Sequence, residues 1–148
     1  MTSFTGERSP HIVVVEHAAS IRSLYQELFQ EERFRATILA DCPATAAELA
    51  RLAPDVIIHD YAPTNAEADL ASLHRLTSDP ATCHIPLILC SAALDVQDVA
   101  QQMEGVSVSV VRKPFIIDDL LATIECRMTP RLYLTRNDTP QQESSATT

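Results

Sequence analysis

The stretch PDVIIHDYAP, residues 54–63, sets Val56, Ile57 and Ile58 ahead of His59 and Asp60. Three β-branched apolar residues in a row, bounded by prolines, read as a strand buried on both faces. A carboxylate at the end of such a strand is either a turn residue or a reactive group held at the mouth of a sheet. One aspartate does not decide between them, so the neighbouring segments must.

Those segments repeat one pattern. IVVV (12–15) is a short strand-type run, and from Ile21 the apolar period becomes helical, with Leu24, Tyr25, Leu28 and Phe29 on the same face. ATILA (36–40) reads as a second strand, and Asp41 with Pro43 as the start of the helix that follows. After the third strand, Leu70, Leu73 and Leu76 share a helical face. PLILC (86–90) is a fourth strand, and Val96, Val99 and Met103 mark a helix stopping at Gly105. VSVSVV (106–111) is a fifth strand, and Ile117, Leu120, Leu121 and Ile124 line a fifth helix. Strand and helix alternating five times predict an α/β fold with a five-stranded parallel sheet covered on both faces. Strands 1, 3 and 4 are nearly continuous apolar runs and belong in the centre. Strand 5 alternates Val and Ser and belongs at an edge.

Composition narrows the function. The chain has 148 residues, enough for one domain with a core that needs no staples. We expect an arm over 1–10, a domain over 11–128 and a partly disordered tail over 129–148. A net charge of −9 argues against nucleic-acid or anionic-membrane binding through a basic surface. No run approaches a membrane span, and the first ten residues lack an apolar signal core. Cys42, Cys83, Cys90 and Cys126 form no close-spaced pair and read as free thiols of a cytoplasmic protein.

Ligands of open α/β sheets bind beyond the carboxyl ends of the strands. Strand 1 is followed there by Glu16 and His17, strand 3 ends at Asp60, strand 4 is followed by Ser91 and Ala92, and strand 5 by Lys113 and Pro114. Two acids, an imidazole, a hydroxyl and an amine thus gather at one edge.

With these residues in place, the chain from His11 to Met128 resembles the receiver domain of bacterial response regulators, whose fold chemotaxis regulators share. IVVVEH, DVIIHD, LILCSA and VVRKPF match its motifs in order. The intervals also fit: 43 residues from His17 to Asp60, 31 to Ser91 and 22 to Lys113. The resemblance implies a flavodoxin-like sheet of strand order 2-1-3-4-5 and a signalling role rather than an enzymatic one. It implies that Asp60 accepts a phosphoryl group from a histidine kinase or phosphotransfer protein. It places Mg²⁺ on Glu16, Asp60 and the backbone carbonyl of Ala62, with Lys113 and Ser91 contacting the phosphoryl oxygens. It also implies a cis peptide before Pro114 and a homodimer through helix 4, strand 5 and helix 5.

Three positions depart from that pattern. His17 stands where a second acid is usual, and imidazole suits Zn²⁺ or another softer ion better than Mg²⁺. Magnesium is therefore expected to bind weakly or be replaced, and Glu16, His17 and Asp60 form a candidate zinc cluster. Val110 occupies the position of the strand-5 aromatic, so the usual ring switch has no ring. Pro63 comes three residues after Asp60, where four is typical, and the loop has no glycine. Two readings follow: a working phospho-receiver with atypical chemistry, or a phosphorylation-independent interaction module on the same fold. A nucleotide or flavin binder is disfavoured, because EHAAS has no glycine for close phosphate approach. His59 is expected to be packed or half-exposed, His74 and His84 to lie on the surface, and Asp118 and Asp119 to favour the start of the last helix. Whether the domain stands alone or belongs to a longer chain is open in the sequence.

Overall fold

The apolar runs pair because only a covered sheet can bury both faces of a strand while keeping its main-chain hydrogen bonds. The computed structural model describes residues 9–103 and 108–136, with side chains up to 128. Its strands are β1 (His11–Val15), β2 (Arg35–Leu39), β3 (Val56–Asp60), β4 (Leu87–Ser91) and β5 (Val108–Arg112). Its helices are α1 (Ala19–Glu31), α2 (Ala46–Ala50), α3 (Ala66–Ser78), α4 (Val96–Gln101) and α5 (Ile117–Arg136). All neighbouring strands are parallel, in the order β2-β1-β3-β4-β5. Every residue of β1, β3 and β4 is buried, whereas β2 and β5 are partly open, as edge strands should be.

Alternation along the strands makes two cores. Ile12, Val14, Ile58 and Ile88 face Tyr25 and Phe29 of α1 and Leu120 and Ile124 of α5. Val13, Ile57, Leu87 and Leu89 face Leu49 of α2, Leu73 and Leu76 of α3, and Val96 and Val99 of α4. Each fully buried aliphatic side chain contributes roughly 1.5–3 kcal/mol relative to exposure, so the sheet is anchored from both sides.

Element ends differ from the sequence expectation where capping rather than periodicity decides. The second helix starts at Ala46, not near Asp41 and Pro43. Thr45 caps it by accepting the Glu48 N–H at 3.2 Å, and the Glu48 carboxylate accepts the Thr45 N–H at 3.2 Å. α4 closes at Gln101, before the expected stop, and Gly105 lies outside the described residues. α5 continues past residue 128 to Arg136; of the arm expected over 1–10, residues 1–8 lie outside the described residues, as does the chain after 136. Ile117, placed by spacing on the inner face of the last helix, is 41% exposed, and Asp118 and Asp119 of the same first turn are exposed with it. The four cysteines are free thiols, and burial pushes the Cys90 thiol up to about 11, which keeps it unreactive.

Candidate functional site

Strand register brings the polar residues together. Val15 pairs with His59, so the next residues, Glu16 and Asp60, lie side by side at the carboxyl edge. Asp60 pairs with Cys90 and Ser91 with Arg112, which sets Ser91 one step beyond Asp60 and Lys113 one step further on the next strand. The Lys113–Pro114 peptide is cis.

The Lys113 ammonium closes this arrangement. Its Nζ donates to Glu16 Oε1 at 2.8 Å and to Asp60 Oδ1 at 3.0 Å. Both acids are buried, Glu16 to 1% exposure and Asp60 to 4%. Burial works against the charge on Lys113, but its bonds to Glu16 and Asp60 outweigh burial and raise its pKa. Burial also raises the pKa of Glu16, against the pull of Lys113 and of the Ala18 N–H, which donates to Glu16 Oε2 at 3.1 Å. One cation thus serves two carboxylates in a nearly water-free corner.

Ser91 is fully buried. Its hydroxyl donates to the Tyr61 carbonyl and accepts the Ala93 N–H at 2.9 Å. Its proton is therefore held by the main chain one residue after Asp60, and one side chain joins the loops following β3 and β4. Val110 is half-buried against the α3–α4 core, the same core that buries the ring of Tyr61.

His17 approaches the site with its backbone, not its ring. Its N–H donates to Asp60 Oδ2 at 3.3 Å. Its ring points elsewhere, with Nδ1 3.0 Å from the Ala40 carbonyl and Nε2 2.8 Å from Asp69 Oδ1. Ala40 and Asp69 are acceptors, so the protonated ring, with two N–H donors, satisfies both, while the Asn65 amide nitrogen, 3.1 Å from Nε2, donates to Asp69 Oδ1. Burial opposes that charge, but the hydrogen bond and charge of Asp69, then Ala40 and Asp60, outweigh it and raise the pKa. Among the described residues, no group of three or more His, Cys, Asp or Glu side chains is arranged to hold a metal ion.

A pH test follows from that shift. The folded state binds the His17 proton more tightly than the unfolded chain does, so this contribution is complete below the ordinary value of 6.5. It is lost as pH rises through the higher folded value. We expect the stability advantage of wild type over His17→Gln to be constant in mild acid and to shrink above pH 6.5. Urea unfolding of both proteins across pH 5–9 measures it, and an advantage that grows with pH would contradict the assignment.

Two further residues complete the site. Asp69, in α3, fell among the polar positions of a helix whose readable signal was its leucines, so nothing in the sequence singled it out. It is buried, and besides His17 it accepts the Ala62 N–H at 2.9 Å and the Asn65 amide at 3.2 Å. His59 is fully buried, the packed one of the two expected placements. Its Nδ1–H donates to the Asp60 carbonyl at 2.6 Å, and its Nε2 accepts from the Ser72 hydroxyl at 2.8 Å. Burial lowers its pKa and keeps the ring neutral. His74 and His84 are exposed, as expected.

The parallel 2-1-3-4-5 sheet, with an acid, a lysine and a hydroxyl at its carboxyl edge, has the fold of response-regulator receiver domains, and the comparisons with known proteins point the same way. The chain is 28% identical over 137 residues to the response regulator PleD of Caulobacter vibrioides, in each of two strains. The match covers 93% of this chain and 30% of PleD, so the chain spans less than a third of the curated relatives it matches. No family model matches it. Among solved structures, it superposes on the chemotaxis protein CheY4 of Vibrio cholerae with a TM-score of 0.68 and 16% identity, covering 80% of this chain and 98% of CheY4. The signal receiver domain of a modulated diguanylate cyclase from Desulfovibrio desulfuricans superposes with a TM-score of 0.65 and 20% identity, over 86% of this chain and 99% of that one. At these identities the structures establish the shared fold.

Proposed function

We propose that the domain takes a phosphoryl group onto Asp60 from a phosphohistidine of a histidine kinase or phosphotransfer protein, as one step of cytoplasmic two-component signalling. The observation that carries this reading is the Lys113 ammonium between the Asp60 and Glu16 carboxylates. Phosphoryl transfer is mostly positioning and charge neutralisation, and here a fixed cation stands beside a buried nucleophile. An Asp60 oxygen attacks phosphorus, the P–N bond to the donor imidazole breaks, and an acyl phosphate forms. Lys113 keeps its proton and meets the incoming oxygens as a point charge. Ser91 reaches a phosphoryl oxygen by turning its O–H away from the Tyr61 carbonyl. Leu94 and Ile116, 94% and 65% exposed, follow β4 and β5 at this edge and offer apolar contact to a donor protein.

Magnesium fits this donor set poorly. Glu16, Asp60 and the Ala62 carbonyl are the oxygens available to it. Lys113 already bridges the two acids, and the third acid is replaced by an imidazole committed to Ala40 and Asp69. The same commitment denies a softer ion the His17 ring.

Incubation with acetyl phosphate, read by intact mass, tests the reading. Wild type should gain one phosphoryl group and Asp60→Asn none. An unmodified wild type with an intact fold would leave the phosphorylation-independent module, which the missing aromatic at Val110 favours.

A further inference from the structure

We propose that Asp69 is a positioning residue for phosphoryl transfer at Asp60, acting through His17 and the loop after β3; this rests on the phosphoryl-acceptor reading above. Asp69 touches none of the reacting atoms. Its side chain is 3% exposed, yet it carries three donors that come from outside its own helix turn or from its edge. The His17 ring reaches it from the loop after β1, the Ala62 N–H from the loop after β3, and the Asn65 amide from the residue before α3. Through the other nitrogen of His17 the link continues to the Ala40 carbonyl, at the end of β2. One carboxylate therefore ties together the carboxyl ends of three strands.

The tie bears on Asp60 from two sides. The ring of His17 is clamped between Ala40 and Asp69, and the backbone N–H of the same residue donates to Asp60 Oδ2. Ala62, clamped by its N–H, follows Tyr61, whose carbonyl holds the Ser91 proton. An acid at a helix start ordinarily stabilises its own helix through the dipole. This one instead spends its oxygens on groups that precede the helix, and a buried carboxylate is tolerated only with such donors. Release of the tie frees both walls around the acceptor, and a displacement of about 1 Å in a reacting group can cost on the order of 100-fold in rate.

The test is beryllofluoride binding by calorimetry, with magnesium in excess, on wild type, Asp69→Asn, His17→Gln and the double variant. An asparagine presents an amide N–H to one of the donors and breaks the tie at nearly constant volume. Each single variant should bind at least about tenfold more weakly. The double variant should be no weaker than the weaker single, because Asp69→Asn already removes the contact that His17→Gln removes. Amide exchange at Ala62 should quicken in Asp69→Asn. Wild-type affinity in Asp69→Asn, additive losses in the double variant, or unchanged exchange at Ala62 would each overturn the assignment. If Asp69→Asn does not fold, His17→Gln alone carries the test, and wild-type affinity there overturns it. Absence of binding in wild type itself would instead overturn the phosphoryl-acceptor reading, and with it the role given to Asp69.

Discussion

Lys113→Met and Asp60→Asn should both abolish phosphoryl uptake, yet only Lys113→Met should lose substantial stability. Among the described residues, the lysine is the one cation bonded to both Glu16 and Asp60, and those carboxylates are 1% and 4% exposed. Methionine keeps the apolar stem and removes the charge. Two buried acids then face each other without a counter-ion, and breaking a buried pair from one side costs roughly 3–5 kcal/mol. Asp60→Asn leaves Lys113 bonded to Glu16 and removes a neighbouring like charge that raises the Glu16 pKa. Its cost should stay within about 1 kcal/mol, the usual worth of one hydrogen bond. The two variants also differ in pH dependence. The deficit of Lys113→Met should narrow in acid, because Glu16, whose pKa burial already raises, takes up a proton more readily once the ammonium is gone. Urea unfolding of the three proteins at pH 5 and 7.5 measures both effects. Equal stability of Lys113→Met and wild type at neutral pH would mean that the acids are not held by this lysine.

Ser91→Ala should be the next most damaging change. It removes the donor to the Tyr61 carbonyl and the acceptor for the Ala93 N–H at a position with no solvent exposure. Buried polar groups left without partners cost about 1–3 kcal/mol each, so a loss of about 2 kcal/mol is expected on folding. Ser91→Thr keeps the hydroxyl and should recover most of it. The same alanine removes the hydroxyl proposed to follow the phosphoryl oxygen, so beryllofluoride binding should weaken in Ser91→Ala and persist in Ser91→Thr. A fully stable Ser91→Ala would show that the two loops are joined by something other than this side chain.

The sheet was legible because burial leaves a periodic trace. Val56, Ile57 and Ile58 must be apolar whichever face each one meets, so a run of β-branched residues announces a central strand without reference to its neighbours. The alternating Val and Ser of β5 announced an edge in the same way. Glu16, Asp60, Ser91 and Lys113 were legible because each ends or follows a strand, and parallel strands end on the same side. Less was visible at the helix ends. Arg33 and Ala53 take positive φ values of 64° and 53° after α1 and α2, where a glycine would have marked the stop. With two glycines in the chain, that mark is missing.

The sequence by itself determined the alternation of strands and helices, the central and edge strands, and the residues delivered to the carboxyl edge. Tertiary structure alone decided where the ring of His17 points and that Asp69 is part of the site. Apolar periodicity is enforced locally, residue by residue, by exclusion from water. The burial of a carboxylate is not: it depends on donors 52 residues away at His17 and on a backbone N–H at Ala62, and these meet only when the ends of β1, β2 and β3 are brought together.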